Sequence, residues 1–344
     1  MEKFIGPGLK NNTQEDLNEF SEFRKERGLK KIPGELKKTY EEEKLLKSLS
    51  DSLNNEIRSL GLPIINFPVE RIHLLPDHFY YVSESESHAT GNFLINKNSL
   101  EVEVSRENKL NNFQQLKDKL HKLIHLSPVS YLANKEKDAE VILHELVHSK
   151  SLSGFFINSS NLFLSYKGGY TTRGQEKGET AFGQVYFAGL NEAVTQKITK
   201  ELLFKNKIFE QTNEENIKKP SVENSPYEGY ISVLDMIIKT LAQFEHKNED
   251  EIWSRFKKNY FTGQMMHLRK IEEVFGVGSL RVLASMNPST MSQFELEEGS
   301  KYMKYFTSGI SEEERAKIEM EILSWEEKRK KEKHVEISQN INNK

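Results

Sequence analysis

The sequence contains no cysteine in its 344 residues. This absence excludes disulfide bonds, thiolate metal sites and thiol nucleophiles. Any metal ion bound by the chain must therefore be held by histidine, aspartate, glutamate or water. A chain without cysteine also fits a reducing compartment, and we expect a cytoplasmic protein.

Long apolar runs are lacking as well. No stretch approaches the ~18 consecutive apolar residues of a membrane span, and residues 1–10 lack the apolar core of a signal peptide. An excess of one charge is also missing, because 49 Lys and Arg nearly balance 52 Asp and Glu. We therefore expect neither a membrane nor a nucleic acid as a partner.

Composition and hydrophobic spacing divide the chain into four regions. We predict a charged helical region over residues 1–60, a mixed domain of strands and helices over 61–205, a helical subdomain over 221–330 and a flexible tail over 331–344. In the first region, leucines at positions 45, 46, 49 and 53 form the apolar stripe of a helix.

Short strand-like runs fill residues 61–105 and 154–187. Residues 100–104 alternate apolar and acidic side chains, which is typical of a half-buried strand. Gly168-Gly169-Tyr170 is typical of a hairpin turn. Because helical spacing dominates from about residue 225 onwards, we predict an α+β fold with a small sheet followed by helices.

The chemistry of the chain is concentrated in His144-Glu145-Leu146-Val147-His148. This segment lies in a predicted helix over residues 134–151 with a largely apolar body. Residues four apart lie on one face of a helix, about one turn from each other. Both imidazoles can therefore reach one ion, with Glu145 beside the first ligand. The pattern is typical of a zinc site with a carboxylate base.

Two histidines do not complete such a site, because a catalytic zinc takes three protein ligands and a water. Three downstream glutamates are candidates: Glu176 and Glu179 in a predicted loop, and Glu192 at the start of a predicted helix. A helix holds a ligand more rigidly than a loop, which favours Glu192. A second histidine pair, His121 and His125, is interpreted as part of an ordinary amphipathic helix.

The pairing of His144-Glu145-x-x-His148 with Asn191-Glu192-x-x-Thr195-Gln196 resembles the gluzincin group of zinc metallopeptidases, over about residues 134–200. The 43 residues between His148 and Glu192 suit that group. The resemblance implies a zincin-like fold, with a small mixed sheet packed on the motif helix. It also implies Zn²⁺ held by His144, His148 and Glu192, Glu145 as general base, and hydrolysis of peptide bonds.

The resemblance further implies a tyrosine or histidine that stabilises the oxyanion of the reaction. Tyr230 is favoured because it opens a strong helical pattern after Pro226, and Tyr227 and His267 are the alternatives. The expected partner is a peptide or protein substrate, added as a strand to an edge of the sheet. Residues 91–104 are the expected source of that edge. Glu101 or Glu103 would then be candidate cleft residues that favour basic side chains, but a solvated strand face is the preferred interpretation of both.

One residue departs from the gluzincin pattern. Gln196 occupies the position of an aspartate that orients a ligand histidine by a hydrogen bond. The glutamine amide oxygen can accept the same bond without supplying charge, or Glu140 or Asp138 can serve instead. The alternative hypothesis is therefore a zincin-like protein that binds zinc, cleaves nothing and acts as an interaction module. The oligomeric state is left open.

Overall fold

The structure is a computed structural model of the chain. It describes residues 3–5, 37–64, 72–76, 91–94, 99–104, 135–157, 163–175, 182–205, 228–286 and 295–324. The elements in chain order are β1 (Lys3–Ile5), α1 (Tyr40–Ser59), β2 (Ile72–Pro76), β3 (Gly91–Leu94), β4 (Ser99–Val104), α2 (Lys135–Lys150), β5 (Ser153–Ile157), β6 (Phe163–Gly168), β7 (Thr171–Gln175), β8 (Phe182–Tyr186), α3 (Ala188–Lys205), α4 (Glu228–Glu245), α5 (Glu249–Thr262), α6 (Arg269–Phe275), α7 (Ser279–Ser285), α8 (Glu295–Tyr305) and α9 (312–324).

The chain divides into two compact units. One consists of Met1–Phe156 with Ile198–Glu215, and the other of Ile157–Lys197 with Asn216–Lys344. Helix α3 belongs to both, because its residues 188–197 fall in the second unit and its residues 198–205 in the first. The four regions predicted from the sequence remain predictions.

In the first unit, α1 lies against the motif helix α2. Thr39 and Glu42 form a capping box at the start of α1, with the Glu42 carboxylate accepting from the Thr39 amide at 2.7 Å. The predicted apolar stripe is confirmed at Leu46, Leu49 and Leu53, which are at most 1% exposed, and it continues to Ile57, whereas Leu45 is only half-buried. Helix α1 is thus held by its buried face.

A small mixed sheet also lies against α2. Strand β4 pairs in parallel with β2, from Ile72 opposite Leu100 to Pro76 opposite Val104. It pairs antiparallel with β3, from Gly91 opposite Val102 to Leu94 opposite Ser99. The α+β class is therefore confirmed at this coarse level, with a small sheet beside the motif helix.

The strand order β2-β4-β3 divides the prediction for residues 91–104, because β3 lies at an edge of the sheet as expected and β4 does not. Glu101 and Glu103 lie on β4, which has a neighbour on each side and is the central strand rather than an edge. Among the described residues, the edges of this sheet are β2 and β3. The parallel pairing with β2 makes β4 central, and the local pattern of residues 91–104 carries no sign of it.

In the second unit, β6, β7 and β8 follow one another in an antiparallel arrangement. The predicted turn is confirmed, because Gly168 pairs with Thr171 and leaves Gly169 and Tyr170 as the two-residue turn. Gly169 has a φ of 56°, which glycine adopts without strain. A glycine of positive φ at the first central position is typical of a type II′ hairpin turn.

The described residues of the second unit from 228 onwards are mainly helical, as predicted. Helix α4 contacts α5, α6 and α8, and its predicted apolar face is buried at Ile231, Leu234, Ile237, Ile238 and Leu241. Asn248 caps the start of α5 by accepting from the Glu251 amide at 2.7 Å. No helix in the described part of the chain is long and apolar enough to cross a bilayer.

Candidate metal centre

Helix α2 brings the two motif histidines together. Their Nε2 atoms are 3.1 Å apart, and their ring centroids are 4.8 Å apart with the planes at 76°. His144 is buried and His148 is half-buried. The i, i+4 spacing therefore does what the sequence predicts, because both ring nitrogens are directed to one point.

The apolar body of α2 anchors the helix that carries this pair. Five residues of the helix are at most 1% exposed: Ala139, Ile142, Leu143, Leu146 and Val147. Glu145, the predicted general base, is also buried, at 8% exposed. The motif thus lies on a helix that the surrounding core holds firmly.

The third predicted ligand joins the pair. One ligand atom each from His144, His148 and Glu192 lie within 4.8 Å of one another, and this group could hold a metal ion. Within the described ranges, no other group of three metal-binding side chains meets the same condition. The rival ligands Glu176 and Glu179, and the pair His121 and His125, fall outside the described residues.

The residues present fit a divalent metal of zinc type. Two histidines and one glutamate form a known ligand set of catalytic zinc sites. Zinc–ligand bonds of about 2.1 Å in a tetrahedron place neighbouring ligand atoms roughly 3.4 Å apart. The 3.1 Å separation of the two Nε2 atoms is close to that value. The Glu192 carboxylate is the third group of the set, with its ligand atom within 4.8 Å of those of both histidines.

The start of α3 is fixed by backbone contacts with α7 and the residue after it. The Phe187 amide donates to the Ala284 carbonyl at 2.9 Å, and the Gly189 amide donates to the Met286 carbonyl at 2.7 Å. A side chain at Gly189 would collide with Met286, because an added Cβ would lie 2.6 Å from the Met286 Cβ. The amides of Phe187 and Gly189, at the start of α3, thus have hydrogen-bond partners within the second unit.

Asn191 has a role that the sequence reasoning missed. Its Oδ1 accepts from the Tyr170 amide at 2.9 Å and is 3.4 Å from the Thr171 amide. Asn191 is only 4% exposed, so these bonds are sheltered from water. The sequence signal was present, since an asparagine within the predicted apolar helix needs a polar partner.

One turn later, Thr195 joins α3 to α5. The Thr195 hydroxyl donates to the Asn191 carbonyl at 2.8 Å, so the Tyr260 hydroxyl donates to Thr195, also at 2.8 Å. Both side chains are fully buried. Gln196, the departure from the gluzincin pattern, is 3% exposed, and its predicted bond to a ligand histidine remains a prediction.

Lys150, at the end of α2, was also missed. It is 1% exposed, and its ammonium donates to Ser50 Oγ at 3.0 Å and Asn54 Oδ1 at 2.6 Å on α1. Burial lowers the pKa of Lys150 to about 8, against the opposing charge of Asp51. A lysine at an apolar-face position of a predicted buried helix was the available signal.

The candidates for the oxyanion donor have different surroundings. Tyr230 lies in the first turn of α4 and is 4% exposed, and its role remains a prediction. Tyr227 falls outside the described residues. His267 has its Nε2 3.0 Å from the Tyr170 hydroxyl and packs edge-on against Phe256. The His267 ring is therefore already engaged within the second unit.

Comparisons with protein-family models, curated proteins and solved structures found no match to this chain. The resemblance to gluzincins accordingly rests on the motif residues alone. The cluster of His144, His148 and Glu192 is the feature of the structure that bears on it.

Proposed function

We propose that this protein is a zinc-dependent metallopeptidase of gluzincin type. The observation that carries the proposal is the convergence of His144, His148 and Glu192 within 4.8 Å. The three side chains come from two separate motifs, with 43 residues between His148 and Glu192. A chance His-Glu-x-x-His string would not bring a third suitable ligand to the same place.

Zinc is the proposed ion because the ligand set lacks sulfur and contains two imidazoles with one carboxylate. When bound, zinc lowers the pKa of a water molecule at the site to about 7 and polarises a carbonyl group. His144, His148 and Glu192 hold the ion, and burial of His144 limits the access of bulk water.

Glu145 is the proposed general base. It follows the first ligand on α2 and is buried on the same rigid helix. Its carboxylate takes a proton from the attacking water and passes it to the leaving amine of the peptide. Tyr230 is the proposed donor to the oxyanion, on the strength of its position at the start of α4.

The proposed substrate is a peptide segment in extended conformation. A peptide can add to the edge of a sheet by main-chain hydrogen bonds. Since β4 is the central strand of its sheet, the proposed docking edge is β3, which lies within the predicted residues 91–104, or else β2.

A second candidate is a protein that binds zinc and does not cleave. Gln196 favours it, because a neutral amide in place of an aspartate leaves the ligand histidine less basic. Gln196 is only 3% exposed, so water has little access to its side chain and does not compensate for the missing aspartate. The two candidates share the metal and differ only in catalysis.

Three variants separate these possibilities: Glu145→Gln, Glu192→Gln and Glu201→Gln. Glu201 is a matched control, because it is the same residue type on the same helix and is not in the metal cluster. Zinc content is measured by elemental mass spectrometry after chelation and reconstitution. Cleavage of a mixture of synthetic peptides is followed by mass spectrometry.

We expect stoichiometric zinc in wild type, Glu145→Gln and Glu201→Gln, and its loss in Glu192→Gln. Cleavage should fall at least about 100-fold in Glu145→Gln and persist in Glu201→Gln. Zinc without cleavage in wild type would establish the binding protein instead. A wild-type chain that takes up no zinc would overturn both candidates.

A further inference from the structure

The hairpin turn of Gly169 and Tyr170 is pressed against α3 and α5. A Cβ added to Gly169 would lie 2.5 Å from Asn191 Oδ1 and 2.6 Å from Tyr260 Cε2. Only glycine fits this approach, both for space and for its φ of 56°. The turn is therefore held against α3 next to the residue that precedes Glu192.

Tyr170 fixes the turn from its other end. Its side chain is fully buried, and its hydroxyl donates to the Phe256 carbonyl at 2.7 Å. That bond uses the one hydroxyl proton, so His267 must donate to Tyr170 through Nε2–H at 3.0 Å. The unprotonated Nδ1 of His267 then has no hydrogen-bond partner, although it is buried.

These contacts anchor α3 on both sides of Glu192. Asn191, one residue before it, accepts from the turn, and Thr195, three residues after it, is bonded to Tyr260 of α5. Both anchors are directional hydrogen bonds between buried groups. The first turn of a helix otherwise frays readily, because its first amides lack partners within the helix.

We propose that Asn191 is a positioning residue that holds the first turn of α3 and thereby presets Glu192 for the metal. A ligand that is already placed loses less conformational freedom when the ion binds. Asn191 acts through the backbone of α3 and touches neither substrate nor metal. This inference rests on the metal site of the proposed function and explains why an asparagine precedes the ligand.

Asn191→Ala tests the proposal, with Asn248→Ala as the matched control. Each change removes an asparagine side chain that accepts a hydrogen bond from a backbone amide in the second unit. Asn248 caps α5 and has no place in the metal cluster. Zinc affinity is measured by competition with a chelating dye, and the visible spectrum of the Co²⁺-substituted protein reports the ligand geometry.

We expect Asn191→Ala to weaken zinc binding by about 10-fold or more and to alter the Co²⁺ spectrum. Asn248→Ala should lower the melting temperature of the metal-free chain, but it should leave the zinc affinity and the Co²⁺ spectrum unchanged. Asn191→Asp keeps an oxygen acceptor in place and should restore the Co²⁺ spectrum. An equal loss of affinity in both alanine variants would reduce Asn191 to a general stabilising role and overturn the proposal.

Hydrogen exchange of the metal-free wild type decides the matter if Asn191→Ala does not fold. The Tyr170 and Thr171 amides should be protected before any metal is added, because the anchor is present without the ion. Rapid exchange that slows only after zinc is added would overturn the presetting role. Zinc binding by wild type with unchanged affinity in Asn191→Ala would overturn this inference alone, whereas no binding by wild type would overturn the proposed function as well.

Discussion

The two helices that supply the candidate metal ligands are stabilised in different ways. Around His144 and His148, the side chains of α2 itself are mostly apolar and almost completely buried, and the buried ammonium of Lys150 lies at the C-terminal end of the helix. Around Glu192, α3 also buries Leu190 and Val194, but it adds a hydrogen-bonded layer through Asn191 and Thr195. One helix thus depends mainly on shape, and the other on shape and on partners of the right polarity.

This difference has consequences for tolerance to change. Apolar burial is non-directional, so a core position accepts another side chain of similar volume at small cost. A buried hydrogen bond is directional, and loss of one partner leaves the other without water or protein to replace it. We therefore expect α2 to respond to changes in volume and the first turns of α3 to changes in polarity.

The largest effect should follow a loss of volume in α2. Leu146 is fully buried, so Leu146→Ala should lower the free energy of unfolding by about 3–5 kcal/mol. Leu146→Met, which nearly conserves volume, should cost less than about 1.5 kcal/mol. Urea denaturation of both variants measures the difference. Equal costs would contradict the view that volume decides stability in α2.

Metal removal comes next. If His144, His148 and Glu192 share one ion, zinc at 100 times its dissociation constant should stabilise the folded chain by about 2.7 kcal/mol. A chelator should reverse this gain in wild type and leave Glu192→Gln unaffected. Thermal denaturation with and without chelator measures it. A gain that persists in Glu192→Gln would show that the ion binds without the α3 ligand.

Local spacing allowed much of the site to be predicted. The i, i+4 histidines, the apolar body of α2 and the buried stripe of α1 all follow from periodicity over one helix. The Gly169–Tyr170 turn was predicted because glycine marks such turns locally. Each of these features is determined by residues close together in the sequence.

The features that were missed join distant residues. Asn191 binds a turn 21 positions earlier, and Lys150 binds partners 96 and 100 positions away. The central place of β4 depends on a parallel strand that begins 28 positions before its pairing partner, at Ile72 opposite Leu100. No local pattern encodes such pairings, since many arrangements satisfy the same periodicity.

Acid should lower the stability of the hydrogen-bonded region around α3, where His267 contacts Tyr170 of the turn bound by Asn191. Burial, with a smaller contribution from the charge of Arg255, lowers the pKa of His267 to about 4 from 6.5. Between pH 6.5 and 4 the unfolded chain therefore binds a proton that the folded chain resists, so stability falls as the pH falls through this window. The full shift corresponds to about 3 kcal/mol, and because the His267 ring is only half-buried we expect a loss of about 2 kcal/mol from this group.

His267→Gln is the control for that prediction. A glutamine amide can donate to the Tyr170 hydroxyl but does not titrate. Urea denaturation at pH 7 and pH 4 should show a smaller acid loss in this variant than in wild type. Other groups, including Glu245, whose pKa its Arg255 partner lowers to about 2, act alike in both chains. Identical acid losses would contradict the assignment to His267.

The smallest effect should come from one hydroxyl pair within the polar layer. Thr195→Val removes a hydroxyl but keeps the shape of the side chain, and it leaves the buried Tyr260 hydroxyl without the partner it has at 2.8 Å. The expected cost is about 1 kcal/mol. The double variant Thr195→Val with Tyr260→Phe should cost no more than the single one, because both polar partners are then absent. Urea denaturation of these two variants and of Tyr260→Phe alone measures the coupling. Strictly additive costs of the two single changes would mean that the hydroxyl pair is not coupled and does not contribute to the stability of α3.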